Sequence, residues 1–393
     1  MAVRVLVVDD SVFFRNRISQ ILRQDRRIQI VGTAKNGREA IEQAVQLNPD
    51  VVTMDVEMPV LNGIEAVKGI MKDAPCQILM LSSLTRRSAR VTLEALDAGA
   101  ADYLEKDAKL WIEKESDVSA QVVEKVLALG NRHRSNPPRK ATSLSSRSGA
   151  APASRSSGLT RPATTVSRTA TASSGTAVAP ASTASSSASP AAGGHDSVNR
   201  VSFPPCKVVV IGSSTGGPAA LQDILPSIPA SFPYPILLVQ HMPKTFTSVF
   251  AQRLNGICQI NIKEAEDGDV LKPGHAYLAP GGSQMIFEPG RGDRVKVFPS
   301  DERVTYKPSV DVTFASAAKI HSKHVLGIVL TGMGADGAEG AKLLKQAGSH
   351  IWAQDQSTCT IFGMPKAVIN AGVADHILKL NDIGQLLKNK GGR

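Results

Sequence analysis

Short apolar runs alternate with stretches whose apolar positions recur every three or four residues, and the alternation occurs twice. In the first third, runs at Val3–Val8, Ile28–Ala34, Val51–Met54, Ile78–Leu81 and Asp102–Leu104 predict strands. Amphipathic helical patterns lie between them, and a last one covers Val118–Leu129. Strands alternating with helices form a parallel sheet with helices on both faces. The pattern resumes after residue 204, where KVVVIG, PILLVQH, HAYLAP, HVLGIVLTG and SHIWAQ predict the strands of a second, doubly wound and mostly parallel α/β domain. No internal repeat at a solenoid period is present.

The stretch from Ser135 to Asn199 is mostly Ser, Ala, Thr, Pro and Gly. It lacks the large apolar residues needed to offset ordering entropy, so it is expected to be disordered. As a flexible coil, ~65 residues would separate their ends by roughly 45 Å. The expected division is therefore 1–130, a linker over 131–203, and 204–393.

Charge refines this picture. The formal net charge is +10, but eight Arg and one Lys against a single Asp fall between Arg132 and Arg200. The rest of the chain is nearly neutral, so neither domain is expected to carry a nucleic-acid face. A DNA-binding output would instead predict a compact helix-turn-helix, whereas the second domain is strand-rich. No run approaches the ~18 apolar residues of a membrane span, and the start, MAVRVLVVDDSVFFR, does not read as a leader. A cytoplasmic, monomeric protein that is not membrane-embedded is expected. Cys76, Cys206, Cys258 and Cys359 are scattered without a CxxC pair, which argues for buried reduced thiols and against zinc or a disulfide framework.

Candidate chemistry lies at strand ends. Asp9 and Asp10 end the first strand and Asp55 the third. In a doubly wound sheet these ends line one crevice. Carboxylates converging there call for a cation, and oxygen ligands suit Mg²⁺. Ser82 and Lys106, after strands four and five, reach the same crevice. Carboxylate, Mg²⁺, hydroxyl and ammonium together suit phosphoryl transfer to Asp55. The Asp-Asp pair, MDVEMPVLNG and YLEKD resemble the receiver domain of two-component response regulators over about residues 1–125. The resemblance implies a flavodoxin-like domain with a five-stranded parallel sheet. It makes Asp55 the phosphoacceptor, Asp10, Asp55 and the carbonyl of Glu57 the Mg²⁺ ligands, and Asp9 a supporting acid. It makes Ser82 and Tyr103 the switch residues and Lys106 the contact to the phosphoryl group. Asp107 stands where receivers usually have a proline.

In the second domain, KVVVIG runs into Gly212-Ser213-Ser214-Thr215-Gly216-Gly217 and then a helical pattern. A dinucleotide fingerprint needs glycine where Ser214 stands, and a P-loop needs lysine where Pro218 stands. The remaining readings are a helix cap and a nucleophile at a strand-to-helix turn, whose N–H groups suit an oxyanion. His241 ends PILLVQH and Asp336 lies in the Gly-rich turn after HVLGIVLTG. Each alone reads as a structural residue. Together with a serine at the same edge of the sheet they form the set that activates a hydroxyl. A non-catalytic adaptor gives no reason for the three together.

IGSSTGGPAAL, QHMP, LAPGG, KPSVDVTFASAA, LTGMGADGAEG and FGMP resemble the catalytic domain of the chemotaxis protein-glutamate methylesterase family (CheB). The resemblance selects Ser214 over Ser213 and maps a triad onto Ser214, His241 and Asp336. It places Thr215 beside the nucleophile and assigns the Met333 N–H to the oxyanion. It implies hydrolysis of glutamate methyl esters and deamidation of certain glutamines on chemoreceptors, with a chemotaxis histidine kinase as phosphodonor and no cofactor for the esterase reaction. It gives Pro308–Asp311 no catalytic role.

Overall fold

The computed structural model describes residues 1–83, 85–106, 111, 115–135 and 201–392. The stretch read as a linker lies outside these from residue 136 to 200, as does Asp107.

The first sheet comprises β1 (Val3–Val8), β2 (Ile28–Ala34), β3 (Val51–Asp55), β4 (Gln77–Ser82) and β5 (Asp102–Glu105), in the order β2-β1-β3-β4-β5 and all parallel. β3 and β4 are buried along their whole length, which explains why they read as unbroken apolar runs. The helices are α1 (Val12–Arg23), α2 (Gly37–Leu47), α3 (Gly63–Asp73), α4 (Arg86–Asp97) and α5 (Glu115–Ser135). Side-chain oxygens of Asn36, Asn62 and Thr85 accept from the third N–H of α2, α3 and α4, satisfying donors that a helix start leaves free. The strand order reverses between β1 and β3, so a crevice opens where Asp9, Asp10 and Asp55 sit.

The second sheet has seven parallel strands: β6 (Val208–Ser213), β7 (Ile236–Gln240), β8 (Asn261–Glu264), β9 (His275–Leu278), β12 (Val325–Val329), β13 (His350–Gln354) and β14 (His376–Leu378). Their order is β14-β13-β12-β6-β7-β9-β8. An antiparallel pair, β10 (Ser283–Phe287) and β11 (Val295–Pro299), stands apart. The helices are α6 (Gly217–Ile224), α7 (Lys244–Ile257), α8 (Val310–His321), α9 (Ala338–Gln346), α10 (Met364–Asn370) and α11 (Leu380–Gly391). The chain builds outward from β6 in one direction and returns to pair β12 on its other side. The ends of β12, β6 and β7 therefore face a second crevice at the point of reversal.

Both sheets belong to one compact unit. The Tyr103 ring of β5 stacks on Phe246 of α7, with centroids 4.7 Å apart and planes 3° from parallel. Arg253 of α7 pairs with Asp97 of α4. α5 runs past residue 130 to Ser135. Phe203 is packed among Phe232, Tyr234 and Trp352. Both ends of the expected linker thus contribute to the folded part. Cys76, Cys206 and Cys359 are buried and unpaired, and burial raises all three thiols, Cys76 and Cys206 to about 12. Cys258 is only half-buried, contrary to the expectation for all four. No helix among the described residues is long and apolar enough to cross a membrane.

Candidate functional sites

The acidic crevice brings Asp9, Asp10 and Asp55 together, with one carboxylate oxygen of each within 4.8 Å of the others. Lys106, following β5, reaches in and pairs with both Asp9 and Asp55 at 2.8 Å. Burial pushes Asp55 up to about 6 against the pull of Lys106, with the charges of Asp9 and Asp10 adding to the rise. Burial likewise raises Asp9 despite its bond to Lys106. One ammonium therefore leaves three crowded carboxylates under-compensated, and an all-oxygen donor set of this kind fits a hard divalent cation such as Mg²⁺. The Val56 N–H donates to Asp55 Oδ1 at 2.9 Å and fixes that carboxylate's orientation.

Ser82, expected to reach this crevice, is placed differently. Ser82 is fully buried; its hydroxyl accepts from Thr92 at 2.7 Å and donates to the Ser83 carbonyl at 3.3 Å, engaging none of the three carboxylates. Tyr103 points away, into the contact with Phe246. The Glu57 side chain is exposed, beyond β3, and accepts from Ser88 at 3.5 Å.

At the second crevice, the turn after β6 separates the two serines. Ser213 is fully buried and donates to Gln240 Oε1 at 2.6 Å. Ser214 is half-buried, and its hydroxyl makes no hydrogen bond among the described residues. The same Gln240 amide donates to the carbonyls of Ser214 at 3.0 Å and His241 at 3.1 Å. It ties the end of β7 to the turn after β6, as does the His241 N–H, which donates to the Ser213 carbonyl at 3.1 Å. Gly216 adopts φ +75°, and a Cβ there would lie 2.2 Å from Thr360 Oγ1, so the turn into α6 requires glycine on both counts.

His241 Nε2 lies 2.7 Å from Asp336 Oδ2, and Nδ1 is buried without a partner among the described residues. The nitrogen left for a serine is thus Nδ1, the reverse of the serine-protease assignment. Asp336 is held at the N-terminus of α8. Its Oδ1 accepts from Ser309 Oγ at 2.9 Å and the Asp311 N–H at 3.0 Å, and its Oδ2 from the Val310 N–H at 2.7 Å. Burial alone would raise this carboxyl, but His241 and the α8 donors outweigh it and hold it below its ordinary value. Asp311 reciprocates at α9, accepting from the Gly337 and Gly340 N–H groups at 3.0 and 2.6 Å. Burial, with Asp336 adjacent, raises Asp311.

The PSVD segment, which resemblance left without a role, is therefore the cradle of Asp336. FGMP braces the Gly-rich turn: the Gly363 and Met364 N–H groups both donate to the Gly332 carbonyl. The Met333 N–H has no protein acceptor among the described residues. The Thr215 hydroxyl is committed to the first domain, donating to Asp102 Oδ2 at 2.9 Å and accepting from Lys125 Nζ at 3.2 Å. Met333 and Ile361 join the apolar cluster of Trp111, Val122 and Val126. Sequence reasoning missed Gln240 and Ser309; adjacency to His241 within QHMP was the only signal for the former. It also missed Tyr306, whose ring stacks on His241 with centroids 4.3 Å apart.

Comparison with known proteins agrees with this two-part arrangement. The family model described as CheB methylesterase matches residues 209–387, and that of the response regulator receiver domain matches residues 5–111. A Pseudomonas aeruginosa protein named protein-glutamate methylesterase/protein-glutamine glutaminase 1 is 55% identical over 387 residues, covering 98% of this chain and 99% of the relative. A Shewanella denitrificans protein of the same name is 49% identical and covers 100% of both chains. Among solved structures, the Thermotoga maritima CheB methylesterase catalytic domain is 44% identical with a TM-score of 0.45, covering 47% of this chain and 99% of that one. The response regulator domain of Thermotoga maritima CheB is 46% identical with a TM-score of 0.31, covering 33% and 98%.

Proposed function

The chain belongs to the CheB methylesterase family and is a protein-glutamate methylesterase and protein-glutamine glutaminase with a receiver domain; on that premise we propose how its residues divide the work. Ser214 is the nucleophile, His241 the general base and Asp336 the group that orients and stabilises the imidazolium. The substrate is a γ-methyl glutamate, or in some positions a glutamine, on the helices of chemoreceptors.

His241 Nδ1 takes the proton of Ser214 Oγ as the oxygen attacks the side-chain carbonyl. The resulting oxyanion is met by the Met333 N–H and by the N-terminal end of α6. Collapse breaks the bond to methoxide, which leaves as methanol with the proton from His241; from glutamine the leaving group is ammonia. Water, deprotonated by the same histidine, then releases glutamate and restores the serine. The observation that carries this reading is the His241–Asp336 pair, held by the α8 N-terminus beside the turn in which Ser214 has a free hydroxyl and Ser213 does not. Methanol release from methylated receptor membranes tests it. Ser214→Ala should lower turnover by about 10⁴-fold or more, and turnover near wild type would contradict the assignment.

Asp55 is the phosphoacceptor, with a chemotaxis histidine kinase as donor. Asp9, Asp10, Asp55 and the Glu57 carbonyl would hold Mg²⁺, which when bound neutralises charge on the phosphoryl group. The Asp55 carboxylate attacks the phosphorus of the donor's phosphohistidine as its N–P bond breaks and the kinase imidazole leaves, and Lys106, 2.8 Å from Asp55, is close enough to follow the transferred phosphoryl group. Control runs through the contacts between the domains. Asp102 and Lys125 hold Thr215, the residue after the nucleophile, and α4 and β5 pack on α7 through Arg253 and Phe246. Phosphorylation at Asp55 weakens this packing and frees the crevice, because only a difference in docking energy between the two states can shift the balance. The expected linker bounds of 131–203 are too wide: the receiver is assigned to 1–135 and the esterase to 201–393, with the Ser/Ala/Thr/Pro-rich stretch between them.

A further inference from the structure

Tyr306 lies in the loop leading into the PSVD segment. Its ring is nearly parallel to the His241 imidazole, 9° between planes and 4.3 Å between centroids. Its hydroxyl lies over Gly334 in the Gly-rich turn, where a Cβ added at that glycine would come within 2.6 Å of the oxygen. The Tyr306 carbonyl accepts from Gln284 Nε2 at 2.8 Å, and the same amide's oxygen accepts from the Ser309 N–H at 2.9 Å. The loop bearing the ring is thereby fixed to the helix start that holds Asp336.

We infer that Tyr306 is a positioning residue for the base, its ring clamping the His241 imidazole in the plane that keeps Nε2 on Asp336 and leaves Nδ1 for the serine. Asp336 anchors only one edge of the imidazole, and a single hydrogen bond leaves the ring free to rock about it. A stacked aromatic face removes that freedom and attracts the imidazolium formed during attack. The far end of the ring lies over Gly334, in the turn that carries Met333. The ring therefore spans from the base to the turn beside the oxyanion donor. This inference rests on the assignment of His241 as base.

The test uses the full-length protein with a small-molecule phosphodonor, reading methanol release from methylated receptor membranes. Tyr306→Leu and Tyr306→Met remove the ring at similar bulk, Tyr306→Phe keeps it, and His241→Gln is run alongside. Thermal unfolding of each variant checks that the fold is retained. Loss of the clamp should lower kcat roughly ten- to hundredfold, since misplacement near 1 Å costs that much, with KM within about twofold of wild type by the same argument. Tyr306→Phe should restore kcat to near the wild-type value. If the Leu and Met variants fold and turn over at the wild-type rate, the clamp is refuted. If Tyr306→Phe is as slow as Tyr306→Leu, the hydroxyl and not the stacked ring is responsible, and the proposal again fails. Wild-type activity in His241→Gln would instead overturn the base assignment, so the two failures are distinguishable.

Discussion

Two adjacent serines in one turn have opposite surroundings. Ser213 spends its hydroxyl on Gln240 inside the fold, while Ser214 keeps its own free at the crevice. Nothing local distinguishes them, because the deciding partner is an amide at the end of another strand. Ser213→Ala should therefore reduce stability by about 1 kcal/mol through the lost hydrogen bond and leave methanol release within a few-fold of wild type. A collapse of activity to the Ser214→Ala level at intact fold would reverse the assignment. Asp336 gives a second residue-scale prediction. Its folded carboxyl lies below the ordinary 3.8, so the stability it contributes is present above that value and is lost as pH falls through the folded value. Denaturant unfolding of Asp336→Asn should consequently show a shallower decline below about pH 4 than wild type. A parallel decline would mean that the carboxylate's hydrogen bonds are not specific to the folded state.

At the scale of elements, the reciprocal capping of α8 and α9 is the device that builds the site. Each helix start is satisfied by an aspartate from beside the other's start: Asp336, just before α9, at α8, and Asp311, in the first turn of α8, at α9. Ser309, which caps α8 and also donates to Asp336, joins the two roles. Ser309→Ala should cost about 1 kcal/mol of stability, the usual worth of an N-cap, and should lower kcat through a less well held Asp336. Stability lost with kcat unchanged would reduce Ser309 to a cap alone. The central strands of both sheets were legible because burial on both faces writes them as apolar runs. β8, β10, β11 and β14 were not: β14 has three residues and sits at an edge, β8 mixes Asn, Lys and Glu into four residues, and β10 and β11 pair only with each other. Strand ends bearing Asp9, Asp55, His241 and Asp336 were readable because the fold places such ends in crevices. Tyr306 and Gln284 were unreadable, since their roles arise only when the loop bearing Tyr306 folds against β10 and over His241.

For the whole molecule, the informative contacts cross between the domains, and the sequence held no trace of them. Thr215 meets Asp102 across more than a hundred residues, and Phe246 meets Tyr103 in the same way. Arg253→Ala removes a partly exposed ion pair, worth up to about 1 kcal/mol, so basal methanol release without phosphodonor should rise up to about fivefold. Fully phosphorylated activity should stay the same. An equal rise in both states would place the effect inside the esterase and outside the control. On the function proposed above, Ser214 is the nucleophile and phosphorylation of Asp55 releases the cover over it. Labelling with a serine-directed fluorophosphonate, mapped by peptide mass spectrometry with and without a small-molecule phosphodonor, reads both at once. The label should sit on Ser214, form faster with phosphodonor, and lose that acceleration in Asp55→Asn. A label on Ser213, or a rate indifferent to phosphodonor in the wild-type protein, would contradict it.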